Sequence, residues 1–337
     1  MEQNRVKRIA FFTPYWKQQR GNSTTAKRIV NGLQERGIDV FLFAYDEEEW
    51  SEEINKRVNQ CDIIHILHFQ RFLQWQMSTG YRLHTPYIIT SGGTDINEDF
   101  KEETKRKRVI PLLEKAEWIT VFTEVAKVEL EDAAISTQVV VIPQGVWLPN
   151  ASVLPKGKKD YPAILLPAGL RKVKDVLYAL PVIERAKRDF RELTYTIIGE
   201  VLEAEVEKKV KSKTKEYEWF TYEPPVPFET IASVYANYDI VLNSSISEGQ
   251  TAVLLEAMSC RIPVIARKNS GNESIIRDGE NGFLFADEAE LEQKLRQVID
   301  DTSLQRLFVE NGLKTLEQQH SLETEIQSYI RLYERAR

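Results

Sequence analysis

Glycine is scarce in this chain, at 15 among 337 residues, where average usage would give about 24. Glycine serves where backbone takes positive φ or approaches something closely, so each remaining one is worth locating. The two cysteines, Cys61 and Cys260, are too few for a disulfide framework, and both stand in apolar stretches. They read as reduced core thiols of a cytoplasmic protein. No apolar run approaches the roughly 18–20 residues of a membrane-spanning helix. The amino terminus runs straight into an apolar strand without a signal-peptide core. An excess of positive charge is also missing: 45 Lys and Arg face 51 Asp and Glu, a formal net charge of −6. Such a chain is a poor candidate for coating a phosphate backbone, so no nucleic-acid partner is expected. Histidines number four; His65 and His68 lack the one-turn helix spacing of zinc hydrolases, and no metal site is expected. Neither a Gly-x-Gly-x-x-Gly fingerprint nor a phosphate-binding Gly-Lys-Ser/Thr loop occurs.

What is present is an α/β rhythm. The apolar fraction of 42% supplies packed cores, and the length suggests two domains. Short apolar runs alternate with amphipathic segments, the pattern of repeated βα units on parallel sheets. Strands are expected at Arg8–Phe12, Val40–Phe43, Ile63–Leu67, Tyr87–Thr90, Ile119–Phe122 and Val139–Ile142. A second series follows at Ala163–Leu166, Tyr195–Gly199, Tyr238–Leu242 and Val264–Ala266. Expected helices include Ser23–Arg36, Glu98–Ala116, Val176–Arg188, Thr251–Ser259 and Glu288–Asp300. Pro149, Pro155, Gly157 and Pro162 among Lys156, Lys158 and Lys159 read as an interdomain linker. The expected organisation is a first domain over 1–150, a linker over 151–162 and a second domain over 163–320. A final amphipathic helix, 321–337, is expected to pack back on the first domain. The basic run Lys105–Arg108 follows Glu102 and Glu103, which makes it a solvated helix face rather than a membrane patch. Peripheral membrane contact and oligomeric state are left open.

The most informative stretch runs from Asn243 to Met258. A buried strand ends in small polar residues, turns at Gly249 and opens a helix. The unpaired amides and positive dipole end of that helix suit a phosphate or diphosphate at Gly249, Gln250, Thr251 and Ala252. Glu256 is placed to accept hydrogen bonds from a ribose diol, and Glu248 from hydroxyls of whatever the diphosphate carries. On spacing alone, a dipole partner and a solvated helix charge explain the two glutamates equally well.

The surroundings add a resemblance. Glu248 and Glu256, with Ser245, Ser247, Gly249, Ala257 and Met258, resemble the paired-glutamate motif of retaining glycosyltransferases of the GT-B fold, family 4. Ile262–Ala266, Ser270–Glu273, Asp278–Phe285 and, in the first half, Val141–Val146 match in order. The resemblance implies two Rossmann-like domains whose parallel sheets face each other across a cleft, and a hexose-type sugar moved from a nucleoside diphosphate sugar to an unidentified acceptor. The donor is a substrate rather than a cofactor. There is no Asp-x-Asp of the metal-dependent glycosyltransferase fold, and no metal is expected. By resemblance Glu256 holds the ribose, Glu248 the donor sugar, and the amides from Gly249 to Ala252 the diphosphate. Lys174 matches the family lysine that neutralises the leaving diphosphate. Gly169 stands where the family has an arginine, and Arg171, two residues on, is the candidate replacement.

In the first half the resemblance places Gly21 and Asn22 near the donor, while Ser23 or Thr24 suits a helix cap. The loop Ser91-Gly92-Gly93-Thr94-Asp95 stands where many relatives carry a histidine. Asp95 is the candidate for orienting a sugar or acceptor hydroxyl, with an Asx-turn or helix cap as its alternative. Together these loops are similar to a smaller branch that includes the glycosyltransferase 1 domain-containing protein 1 group and, more distantly, seleno- and thiosugar synthases. The alternatives to sugar transfer are therefore seleno- or thiosugar synthesis or nucleotide-sugar epimerisation on the same fold, or non-catalytic nucleotide-sugar binding.

Overall fold

The structure, a computed structural model, describes residues 6–18, 20–148 and 162–336. Its first series is β1 (Arg8–Thr13), α1 (Gly21–Gln34), β2 (Asp39–Ala44), α2 (Glu52–Val58), β3 (Ile63–Leu67), α3 (Phe69–Thr79), β4 (Tyr87–Thr90), α4 (Thr94–Asn97), α5 (Glu103–Leu113), β5 (Trp118–Val121), α6 (Glu124–Glu131) and β6 (Val139–Val141). The second is β7 (Ala163–Pro167), α7 (Leu180–Ala186), β8 (Thr194–Ile198), α8 (Ala204–Glu216), β9 (Phe220–Glu223), α9 (Ile231–Tyr235), β10 (Ile240–Asn243), α10 (Ala252–Ser259), β11 (Val264–Arg267), α11 (Ser270–Glu273), β12 (Phe283–Phe285), α12 (Glu288–Asp300), α13 (Thr302–Gln319) and α14 (Leu322–Arg335).

The strands form two six-stranded sheets, in the orders β2-β1-β3-β4-β5-β6 and β12-β11-β10-β7-β8-β9. Every pairing is parallel. Each central strand is a continuous buried run, as a sheet covered by helices on both faces requires. In the second sheet the chain winds outward from β7 through β8 and β9, then returns to start again at β10. The order therefore reverses between β7 and β10, and ligands of doubly wound folds bind at the carboxyl ends flanking such a reversal. In the first sheet the reversal lies between β1 and β3.

The chain divides into one unit of Met1–Gly145 with Ser321–Arg337 and another of Val146–His320. The linker expected at 151–162 lies, apart from Pro162, outside the described residues. Helix α14 belongs to the first unit, where Ile326, Tyr329, Leu332 and Tyr333 join the core of Ile9, Phe11, Ile29 and Leu33.

Several expected elements differ. The single helix expected over Glu98–Ala116 is broken: α4 is followed by a 3₁₀ turn at Asp99–Lys101 that buries Phe100, and α5 restarts from Glu102 in extended backbone. Helix α7 begins at Leu180 rather than Val176, because Lys172–Lys174 forms a 3₁₀ turn and Asp175 is left-handed. The unexpected strands, β9 and β12, lie at the two edges of their sheet. Helix α3 was hidden because its N-cap is His68 at positive φ rather than Ser, Thr, Asp or Asn.

Candidate active site at the carboxyl ends of β7 and β10

Two loops are bolted together at the second sheet's reversal. After β7 the chain makes the Lys172–Lys174 turn, and Asp175 at φ 42° redirects it. After β10, the Ser244 hydroxyl donates to the carbonyls of Lys174 and Asp175, each at 3.0 Å. The Ile246 amide donates to the Val173 carbonyl at 2.9 Å. Arg267 clasps the Asp175 carboxylate at 2.8 Å from β11. The result brings Lys174 Nζ to 2.5 Å from Glu248 Oε1, with their side chains only 16% and 11% exposed. Asn243 Nδ2 donates to the same oxygen at 3.3 Å. Burial alone would raise the Glu248 carboxyl. The Lys174 charge and hydrogen bonds from Lys174, Ser245 and Asn243 outweigh it and hold the group below the usual carboxylate range.

Asn272 fixes the loop from the other side. Buried completely, it donates to Asn243 Oδ1 at 3.1 Å and the Arg267 carbonyl at 2.8 Å. Its own oxygen accepts from the Thr251 hydroxyl at 2.5 Å. Beside it, a Cβ on Gly271 would stand 2.6 Å from the Glu248 carbonyl oxygen and 2.7 Å from its carbon. Only glycine permits that approach, because backbone rather than a flexible side chain is in the way. Gly271→Ala should therefore displace Glu248 and lower kcat/KM about tenfold or more, an effect to be read in steady-state kinetics. Retained wild-type kinetics would refute this packing argument.

Helix α10 starts at Ala252 with no side-chain cap. Thr251, in the N-cap position, turns its hydroxyl to Asn272, and the Gln250 amide donates to Ser274 Oγ at 3.2 Å. Both side chains thus face inward, and neither caps the first turn of α10. Glu256 follows on α10, where Tyr235 donates a 2.9 Å hydrogen bond to Oε2. Arg171 Nε is shielded from solvent without a hydrogen-bond partner. Lys172 points elsewhere, to Glu205 at 3.0 Å. At Gly169 a Cβ would meet Leu202 Cδ1 at 2.8 Å, so Leu202 closes on that position.

On the first unit, α1 begins at Gly21 with Arg20 as N-cap, so neither Ser23 nor Thr24 caps it. Ser23 is instead the third helical residue, and its hydroxyl accepts from the Arg20 amide at 3.0 Å. Asn22 lies close to the β4 loop: a Cβ on Gly92 would come within 2.8 Å of both Asn22 Oδ1 and His68 Cδ2. Asp95 stands in the first turn of α4. It is fully buried, and its carboxylate accepts from the Ser91 hydroxyl (2.6 Å) and the amides of Phe69 (3.2 Å), Gly92 (3.1 Å) and Ile96 (3.1 Å). A carboxylate so committed organises its loop. The N-cap of α4 is Gly93, which has no side-chain cap, so Asp95 lies within that helix and does not cap it. Burial lowers the pKa of His68, whose Nε2 lies 3.0 Å from the Thr94 hydroxyl. Sequence reasoning missed Tyr235, Asn243 and Asn272; the asparagines lie within the motif stretches, whereas nothing local in the sequence marks Tyr235.

Among the described residues no cluster of His, Cys, Asp and Glu is arranged to hold a metal ion. Among them, too, no helix is long and apolar enough to cross a membrane.

Comparison with known proteins agrees with this architecture. The family model for glycosyl transferases group 1 matches residues 154–315. Glycosyltransferase 1 domain-containing protein 1 of Xenopus tropicalis is 30% identical over 325 residues, covering 92% of each chain. The GtfA subunit of Streptococcus pneumoniae, a UDP-N-acetylglucosamine–peptide N-acetylglucosaminyltransferase, is 23% identical over 53% of this chain and 35% of its own. Among solved structures, sucrose-phosphate synthase of Thermosynechococcus elongatus superposes with TM-score 0.79 at 17% identity, over 98% of both chains. Anabaena HepE in complex with UDP-glucose gives 0.76 at 16% identity, over 96% of this chain and 98% of its own. The two parallel six-stranded sheets are thus those of the GT-B fold. With a full-length relative at this identity, the chain belongs to the glycosyl transferases group 1 family of glycosyltransferases.

Proposed function

We propose that this glycosyltransferase moves a hexose-type sugar from a nucleoside diphosphate sugar to an acceptor, in the cytoplasm, with retention at the anomeric carbon and without a metal. The observation that carries the reading is the meeting of Lys174 with Glu248 beside the uncapped first turn of α10. As the bond from the anomeric carbon to the diphosphate oxygen breaks, the acceptor oxygen bonds to that carbon on the same face. The acceptor's proton passes to the leaving phosphate. Arg171, Lys174 and the amides of Gly249 to Ala252 take the growing charge of the leaving group. Glu256 receives the ribose diol, and Glu248, kept ionised by Lys174, receives hydroxyls of the sugar. Gly21 and Asn22 remain our candidates for substrate contact on the first unit.

HepE with UDP-glucose, and pneumococcal GtfA with UDP and GlcNAc, make uridine diphosphate sugars the first donors to try. A thermal-shift panel of nucleoside diphosphates and their sugars should single out the donor. A ligand at 100 times its Kd raises stability by about 2.7 kcal/mol. Glu256→Ala should then weaken nucleoside diphosphate binding about 30-fold, the worth of hydrogen bonds to a charged group. Unchanged affinity would sink the assignment. NMR of the product reads the anomeric configuration, and inversion would overturn the mechanism. Loss of activity in EDTA, restored by a divalent cation, would overturn metal independence.

A further inference from the structure

We propose that Tyr235 is a positioning residue: its hydroxyl aims the Glu256 carboxylate at the ribose of the donor. The inference rests on the ribose role given to Glu256 above.

Tyr235 closes α9, the short helix that leads into β10, and Glu256 sits on α10, the helix that follows the same strand. One strand with its entering and leaving helices thus carries the whole device. The Tyr235 ring is completely buried, among Leu254, Leu255, Ala257 and Met258, and its hydroxyl donates to Glu256 Oε2 at 2.9 Å. Burial first, and then the neighbouring Glu256 charge, push the tyrosine pKa well above its ordinary value. The hydroxyl therefore remains protonated, a donor and never a charge.

A glutamate on an exposed helix face samples several rotamers, and a ligand that needs one of them must bear the cost of freezing it. A donor fixed in the core holds one carboxylate oxygen in place and so sets where the other lies before any ligand arrives. A tyrosine that merely needed an acceptor for its buried hydroxyl would be served equally by a backbone carbonyl, as Tyr195 is by that of Val176. Here the acceptor is a side chain to which the proposed reaction gives a donor contact.

The test is Tyr235→Phe, which keeps the ring in the core and removes one oxygen. Glu256 is only half-buried, so water can replace the lost donor and the fold should survive. UDP, GDP and ADP serve as calorimetric probes, together with the 2′,3′-dideoxy form of whichever binds. The variant should bind the ribose form about tenfold more weakly, with kcat for the matching donor sugar within about twofold of wild type. The dideoxy probe should bind wild type, Tyr235→Phe and Glu256→Ala alike, because the contact that both residues serve is already gone. A purely structural role predicts a different pattern, an equal loss for both probes, and that result would overturn the proposal. So would unchanged affinity in Tyr235→Phe alongside weakened affinity in Glu256→Ala. If Glu256→Ala itself binds the ribose form normally, the ribose role fails and this inference fails with it.

Discussion

Replacing Lys174 with methionine should lower kcat/KM about a thousandfold, the cost of losing a preorganised charge at a developing anion. The effect is large because the lysine does two things at once. In the proposed reaction it is the cation that meets the leaving diphosphate, and in the structure it is the counterion of Glu248 at 2.5 Å. The Glu248 carboxyl is depressed in the folded chain, so its contribution to stability is present above the ordinary carboxylate pKa and is lost as pH falls through the folded value. Without Lys174, burial becomes the dominant influence and the carboxyl titrates upward. The acid limb of the pH–rate profile should accordingly move toward neutrality. Leaving a nearly buried carboxylate unpaired should also cost about 3 kcal/mol of folding stability, read from the urea midpoint. The double variant Lys174→Met/Glu248→Met separates the two effects. It should recover stability, because two apolar side chains need no partner, yet remain inactive. Activity recovered along with stability would show that Lys174 serves only to neutralise Glu248.

The same pair illustrates what sequence could and could not reveal. Interior strands were legible: Ile63–Leu67 and Tyr87–Thr90 occupy the expected residues because both faces are covered and the runs, mostly apolar, are wholly buried. Edge strands β9 and β12 were not: Phe220–Glu223 alternates apolar with polar residues, and Phe283–Phe285 is only three residues long. Lys174, Glu248 and Glu256 were legible as a motif, but their wiring was not. Nothing local links Ser244 to the carbonyls of Lys174 and Asp175, about 70 residues upstream, although that clasp sets the lysine in place. Asp95, a conspicuous carboxylate after two glycines, suits a ligand site and an internal loop staple equally in the sequence. Its partners, the Ser91 hydroxyl and the amides of Phe69, Gly92 and Ile96, come together only in the fold. The scarce glycines of the second unit turn out to mark close backbone approaches, as at Gly271, more than flexibility.

The carboxyl-terminal helix supplies the largest expected loss of stability. Arg28 Nε and NH2 meet Glu325 Oε2 and Oε1 at 2.8 and 3.0 Å, with the side chains 3% and 0% exposed. The Gly145 amide donates to the same carboxylate at 2.9 Å. Glu325→Leu should therefore cost about 4 kcal/mol, since it strands a buried guanidinium and a backbone amide together. For a unit of this size that is a fall in Tm of about 10 °C in a calorimetric scan. The pair of half-buried Arg36, just beyond the end of α1, and exposed Glu323 on α14 offers the control. Glu323→Ala should cost under about 1 kcal/mol, because solvent screens that pair. Arg28→Met/Glu325→Leu should regain most of the loss, and failure to do so would mean that packing rather than charge pairing docks the helix. Acid should loosen the same joint. His65 lies between Tyr333 of α14 and Thr90, 2.6 Å from each hydroxyl, and burial pushes its pKa down to about 3. The unfolded chain binds that proton near pH 6.5 and the folded chain does not. Stability should thus fall as pH drops below about 6.5, by up to about 1.4 kcal/mol per unit until pH 3. His65→Gln should flatten that slope; a slope identical to that of wild type would show that other groups cause it.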